Sequence, residues 1–415
     1  MPECLPFCGW RYNKEKVDIQ KIVAPPYDVV NKKEKEEYKK KSPYNIFHLE
    51  LPENYQKAKT LLSNWIKDKI LIKDSEPALY LYELIFKYKN NILNRKGLIL
   101  LVKLSPFDEG IILPHEKTFH KITQERLELL KITKFQFSQV FGLYEDPQLI
   151  TLEIFKKNPQ LLYEVNYDEE IHKFYKITDK KTIKSFLDTL KDKKIYIADG
   201  HHRYTTALKY KEYMNVLYGD DLKRDYHYIA MYITPMEDKN LLILPTHRVY
   251  YLENVKRFIS DMEKYATPLK EFKEINLEKI ELYFTNLSTQ WIIFYQNKLI
   301  LYELKDKYYK KFININSVLS EIPLFNFLQI LENILGIKEE EFAQEGKVKF
   351  LSKIEKLKDE VKKGALGVIF PALPPEVFKK IAREKKLMPH KCTYFYPKIL
   401  TGFVLNEVSG KILDF

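Results

Sequence analysis

Ile197-Ala198-Asp199-Gly200-His201-His202-Arg203-Tyr204-Thr205-Thr206-Ala207-Leu208 is the stretch that decides how this chain is built. The run from Lys193 to Ala198 predicts a short strand, and His202 to Met214 predicts a helix, with Asp199-Gly200-His201 as the turn between them. The first N–H groups of a helix lack intrahelical partners and carry the positive end of its dipole. A strand that runs through glycine into a helix therefore predicts an anion site, most simply for phosphate. Gly200 permits close backbone approach, and Arg203 can fork onto phosphoryl oxygens. Asp199 can hold Mg²⁺ or orient a hydroxyl. His201, His202, Tyr204 and Thr205 complete the predicted phosphate-binding set in the first turn. The plainer reading makes Asp199 an ordinary N-cap and the histidines turn residues. Five functional-type residues in a row favour the anion site.

Working outward, Ala78 to Tyr88 and Lys96 to Leu104 predict a β-hairpin through Lys89-Asn90-Asn91. Further strands are expected at Ile22-Val23-Ala24, Asn45 to Leu51, Phe141 to Tyr144, Tyr228 to Ile233 and Leu241 to Leu244. Helices are expected at Lys32–Lys41, Tyr55–Lys69 and about Thr123–Lys134. Past Tyr251 the pattern becomes a separate α+β run, with helices near Val255–Tyr265, Leu277–Phe284 and Leu324–Leu335 and strands near Trp291–Tyr295, Lys298–Leu304 and Leu366–Phe370. The fold class expected is α+β, a mixed α/β architecture. Its parts are an N-terminal nucleotide-binding region at 1–250, a C-terminal α+β domain at 251–387, and a tail at 388–415 that returns to the site.

With 415 residues the chain has length for two or three domains at roughly 150 residues each. At 45% hydrophobic and 30% charged it is too apolar for a disordered chain and too charged for a fibrous one. Its net charge of +12 favours anionic partners. Only 8 of the 69 cationic residues are Arg, so an arginine marks a site where the planar fork is needed. The Lys- and Glu-rich usage suits a thermophile. Three cysteines, Cys4, Cys8 and Cys392, give neither a disulfide framework nor a zinc ribbon. No apolar run reaches the ~18 residues of a membrane span, and Met1 to Trp10 lacks the pattern of a secretory signal. The expected location is cytoplasmic, without a membrane partner.

Other turns carry chemistry too. His115-Glu116 follows Pro114 at a rigid corner, where Glu116 can serve as general base for an acceptor hydroxyl. A helix-start carboxylate paired with Lys117 is the equally simple alternative. His247 and Arg248 sit after a strand in a turn expected to bind phosphate, and Lys391, Thr393 and Lys398 of the tail are expected to close over a polyanion. Asp28, Asn45 and His115 are candidate substrate-binding residues. His115, Glu116, His201, His202 and His247 offer five metal-ligand candidates, yet no H-E-x-x-H spacing is present and adjacent histidines point apart.

Taken together, these motifs resemble the prokaryotic family of domain of unknown function 1015. The matching pieces are Ala24-Pro25-Pro26-Tyr27-Asp28-Val29, Pro43-Tyr44-Asn45, Leu113-Pro114-His115-Glu116-Lys117-Thr118, Phe141-Gly142-Leu143-Tyr144, Ala198 to Tyr204, Leu244 to Arg248 and Met388 to Phe395. The Asp199-to-Arg203 stretch is further similar to the helix-capping phosphate motif of the ParB/sulfiredoxin-like superfamily, which includes free-serine kinases. That resemblance implies a ParB/sulfiredoxin-like nucleotide-binding core in which Asp199 to Arg203 bind nucleotide phosphates and metal. It also implies ATP-dependent phosphorylation of free L-serine to O-phosphoserine, with ATP and Mg²⁺ as cofactors. The expected catalytic set is Glu116, Asp199, His201 and Arg203, with Asp199 as the metal ligand. Two other classes compete, a nucleotide-dependent DNA-binding or regulatory protein and a metal-dependent hydrolase. Dispersed lysines and the lack of a basic recognition helix argue against nucleic acid.

Overall fold

The computed structural model describes residues 2–272 and 277–413 and has a mixed α+β architecture. Its contacts divide the chain into two compact units, Met1–Leu241 together with Pro397–Phe415, and Leu242–Tyr396. The expected boundaries at 250 and 388 thus move to 241 and 397. The cause at the second is local: Thr393–Tyr396 pairs antiparallel with Leu242–Pro245 inside the second unit, and the chain leaves that pairing at Pro397.

The first unit is built on a nine-stranded sheet. From edge to edge it runs Ile112–Leu113, Ile195–Asp199, Val140–Tyr144, Tyr228–Pro235, Asn91–Lys103, Leu79–Tyr88, Glu170–Ile177 and Gln160–Tyr167, with Cys4–Leu5 also paired to Asn91–Lys103. The expected hairpin is present: Tyr88 faces Asn91, and Lys89 takes a positive φ of 54° to close the turn. Ile195–Asp199 lies between two strands, parallel to one and antiparallel to the other. This explains its unbroken apolar run, since a central strand is covered on both faces. Leu98, Leu100, Ile112, Val140, Ile195, Ile197, Met231 and Ile233 form the core beneath it, and Tyr204 and Ala207 bring the following helix onto the same cluster.

Two expected strands near the N-terminus are corrected. Asn45 to Leu51 instead contains the short helix Phe47–Glu50, in which Phe47, Leu49 and Glu50 are all buried. Asn45 causes the turn: its side chain accepts from the Phe47 N–H and donates to the Lys21 and Val23 carbonyls. At Ile22-Val23-Ala24 a helix at Ile19–Ile22, capped by Asp18, precedes a single bridge from Ala24 to Thr401. The residues after Pro397 are woven into this unit through that bridge, through Trp10 with Leu405, and through Asn406–Glu407 paired to Phe135–Gln136.

The second unit has a six-stranded antiparallel sheet in the order Ala266–Phe272, Lys298–Leu304, Gln290–Tyr295, Leu366–Ile369, His247–Tyr250, Val348–Leu351. Val249, Ile292, Leu301, Leu357 and Ile369 lie in its core. The helix expected at Leu277–Phe284 is the 3₁₀ segment Leu277–Tyr283. Among the described residues, no helix is long and apolar enough to cross a membrane.

Candidate active site

The register of Ile195–Asp199 against Val140–Tyr144 slips between Ile197 and Asp199. Such a bulge bends the strand and re-aims the next side chain, here Asp199. Gly200 follows at φ 90°, a left-handed conformation that glycine adopts without steric cost. A Cβ there would also stand 2.9 Å from Arg203 Nε. The helix His201–Tyr218 then begins with no side-chain cap on its first N–H groups.

Three charged groups meet beside this start. Asp199 Oδ2 lies 3.2 Å from Arg203 Nη2, and Asp199 Oδ1 lies 3.2 Å from Lys398 Nζ. Burial alone would raise the Asp199 carboxyl, but Lys398, Arg203 and the Gly200 N–H outweigh it and hold the group below its ordinary range. Arg203 Nη1 also donates to the Gln139 carbonyl, while its Nε is buried with no hydrogen-bond partner among the described residues. Two cations on one carboxylate leave a net positive charge at the helix start. They also occupy the Asp199 oxygens, so this carboxylate does not fit the expected magnesium ligand: a cation there would face Lys398 and Arg203 at contact distance.

On the neighbouring loop, His115 Nδ1–H donates to the Ile197 carbonyl at 2.7 Å, and the His115 N–H donates to His201 Nε2 at 3.2 Å. The rings meet edge to face at 4.5 Å. Burial lowers His115 to about 4, and burial together with the surrounding cations puts His201 well below its usual value. Both imidazoles are neutral near pH 7. Because His201 Nε2 accepts, its proton sits on Nδ1, which faces Glu116 Oε2 at 4.0 Å. His115, Glu116 and His201 have ligand-type atoms within 4.8 Å of one another. The His201 tautomer, however, presents a proton and no lone pair to Glu116. With His201 Nε2 taken by the His115 N–H, the group falls short of the three protein ligands of a catalytic zinc.

Several expected site residues have other work. Tyr204 is corrected: its hydroxyl accepts from the Ser105 N–H and donates to the Ser105 carbonyl, fully inside the core. His202 turns its ring to Phe119, stacking on it and accepting its N–H at 3.0 Å. Asn45 is the backbone clamp described above and has no atom left for a substrate. His247, Arg248, Lys391 and Thr393 belong to the second unit. There Arg248 pairs with Glu339 at 2.9 Å and donates to the carbonyls of Thr246, Lys391 and His390. His247 accepts from the Phe370 N–H, and burial pushes it down to about 3. Lys391 Nζ lies over the Phe350 ring, and Thr393 pairs with Pro245 across the two-stranded sheet. Thr205 Oγ1 is buried beside the helix start with no hydrogen-bond partner among the described residues.

Behind Arg203 lies a pocket to which the sequence reading assigned no residue but Arg203 itself. Tyr27, Glu50, Arg126, Ser138 and Arg203 form its polar side, and Leu129, Leu130, Phe135, Phe137 and Ile229 its apolar wall. The Tyr27 ring lies between two guanidiniums, 4.7 Å from Arg126 and 6.0 Å from Arg203. Burial raises the Tyr27 hydroxyl to about 12. Asp28 is exposed beside it and adds to the negative field on Arg203. Arg126 could have been found by the same rarity of arginine that singled out Arg203 and Arg248. Glu50 carries no such mark.

The class defined so far is a mixed α+β protein with a strand–glycine–helix turn flanked by cations. The chain belongs to the family described as "Protein of unknown function (DUF1015)", which matches residues 4–322. None of the curated proteins matches it. Among solved structures, a free serine kinase in complex with AMP is 10% identical, with a TM-score of 0.37, covering 71% of this chain and 86% of that one. A conserved hypothetical protein from Pyrococcus furiosus is 12% identical at a TM-score of 0.37, covering 72% and 92%. SbnI with C-terminal truncation, from Staphylococcus aureus, is 9% identical at 0.36, covering 74% and 86%. At these scores the likeness establishes no function for this chain.

Proposed function

We propose that the protein is a phosphotransferase that binds ATP by its phosphates at the start of the His201–Tyr218 helix and passes a phosphoryl group to the hydroxyl of a small metabolite, L-serine first. The observation that carries this reading is the uncapped helix start behind Gly200, flanked by Arg203 and Lys398. Open N–H groups and two fixed cations suit a polyanion. Phosphoryl transfer asks a protein chiefly for positioning and charge stabilisation, which such a cluster supplies.

In this reading the N–H groups of His201, His202 and Arg203 and the Thr205 hydroxyl receive phosphate oxygens, and Arg203 steadies the phosphoryl group in flight. Glu116 takes the acceptor proton as the new P–O bond forms and the bond to ADP breaks. His201, neutral and with its proton on Nδ1, faces that carboxylate. Magnesium enters with ATP as part of the substrate and is not assigned to Asp199. Asp199 instead acts as the anchor that holds Arg203 and Lys398 apart. The core is proposed to be of the ParB/sulfiredoxin-like kind, as the Asp199-to-Arg203 motif suggests.

The test is transfer from ATP with Mg²⁺ to L-serine and a panel of hydroxy metabolites, read by mass spectrometry. O-phosphoserine formed by the native protein and lost in Arg203→Ala supports the reading. Nucleotide binding without any phosphorylated product would replace it with a nucleotide-switched regulatory protein.

A further inference from the structure

The pocket behind Arg203 is lined by that arginine together with Thr206 and Ala207 of the same helix. Its cavity measures about 60 Å³. That is too small for a nucleotide and suits a molecule of few heavy atoms. Its polar lining is amphoteric.

The acid is Glu50, which is 3% exposed. Ser138 donates to its Oε1, while Oε2 is buried with no hydrogen-bond partner among the described residues. A buried carboxylate oxygen without a donor is costly, and burial raises this carboxyl despite Ser138, Arg203 and Arg126. The base is Arg126. Its Nη1 donates to the Glu50 backbone carbonyl at 2.7 Å, and its guanidinium is held over Tyr27. No other hydrogen bond of Arg126 is present among the described residues, so the rest of its fork remains for a ligand. The apolar wall of Leu129, Leu130, Phe135, Phe137 and Ile229 excludes water from one side and strengthens both charges.

We infer that this pocket binds a small zwitterion, a free amino acid whose ammonium donates to Glu50 Oε2 and whose carboxylate meets Arg126. Resting on the phosphotransferase reading, the amino acid is the acceptor, and Arg203 is shared by its pocket and the phosphate site. A zwitterion repays both unmet demands at once. A hydroxy acid would leave Glu50 without its donor, and an amino alcohol would leave Arg126 without its acceptor. The pocket therefore discriminates by charge pattern, which reaches further than shape in so small a cavity.

Calorimetric titration of the full-length protein without nucleotide tests this with three probes: L-serine, ethanolamine, which lacks the carboxylate, and D-glycerate, which lacks the ammonium. L-serine is expected to bind at least tenfold more tightly than either. Glu50→Gln should weaken L-serine at least tenfold while leaving nucleotide binding in place, and Glu50→Asp should restore part of the loss. Equal affinity for glycerate and serine, or no serine binding by protein that still binds nucleotide, overturns the inference. If Glu50→Gln does not fold, the three-probe ranking on native protein decides alone. Serine that binds by this pattern but is never phosphorylated removes the kinase reading and keeps the pocket. Phosphorylation of hydroxy acids and amino acids alike does the reverse.

Discussion

Arg203 and Arg248 look alike in the sequence and differ in the structure. Each is one of eight arginines, each stands beside a histidine at a strand-end turn, and each is buried against a carboxylate. Arg248 has all three of its nitrogens hydrogen-bonded, to Glu339 and to three carbonyls, with Phe350 4.6 Å from its guanidinium. Arg203 shares its carboxylate with Lys398 and keeps a buried Nε without a hydrogen-bond partner among the described residues, beside a pocket and an open helix start. A closed set of hydrogen bonds marks an arginine that holds the fold. An incomplete set marks one that has an interaction still to make.

The largest effect expected from that contrast is on turnover. Arg203→Ala should lower phosphoryl transfer by on the order of 10³-fold, with a modest change in melting temperature because Lys398 still neutralises Asp199. A large loss of stability with turnover per folded molecule intact would put Arg203 in the same class as Arg248. Arg248→Ala should do the opposite. Removing one partner of a buried pair leaves Glu339 uncompensated at a cost of about 3–5 kcal/mol, read by urea denaturation, while the folded fraction binds nucleotide as before.

Acid sharpens the comparison through the histidines. Unfolded, His115 and His247 take up protons below about 6.5; folded, they refuse them until about 4 and about 3. A lowered folded value means full stability above about pH 6.5, loss as the pH falls, and no further loss from that group below its folded value. For His115 the loss totals about 3 kcal/mol, complete near pH 4. His115→Gln should flatten that fall in a series of urea midpoints, and His247→Gln should flatten the part that continues towards pH 3. An unchanged pH profile in either variant would show that its ring is not held neutral.

The smallest effects are at glycines. Gly200→Ala should cost about 1–2 kcal/mol for a left-handed residue and also weaken nucleotide binding, because the new methyl group displaces Arg203. Gly336→Ala, at φ 72° with nothing near its missing Cβ, should cost about 1 kcal/mol and leave binding alone. Equal loss of binding in both would show that Gly200 acts only through the backbone.

The central strand, its glycine turn and the helix were legible because each follows from local chemistry: an apolar run, a residue free to take positive φ, and a helix former series. Tyr204 was legible too and was misassigned. His201, Tyr204, Ala207, Tyr210 and Met214 recur at helical spacing and are all buried, so that face belongs to the core. Asn45 to Leu51 alternates like a strand, but an asparagine able to close a turn on its own backbone outweighs so short an alternation. The tail was expected back at the site with Lys398, but its pairing with Asp199 could not be read, because nothing in either neighbourhood specifies the other. Glu50 stood out in the sequence only as a polar residue beside a proline turn, with Asn45 and His48: its meaning lies in an oxygen left without a donor, which only the packed structure reveals.

The return of the chain at Pro397 has a consequence for how the protein is made. The second unit is spelled out between Leu242 and Tyr396, in the middle of the first. At roughly 5–20 residues per second, a ribosome spends on the order of ten to thirty seconds on that interval. Through it Asp199 and Arg203 have already emerged without Lys398, and Gln139 waits for the Val404 carbonyl that it will hold. The second unit therefore has all its strands available before the first does, and the anion site is completed only after the second unit has been synthesised.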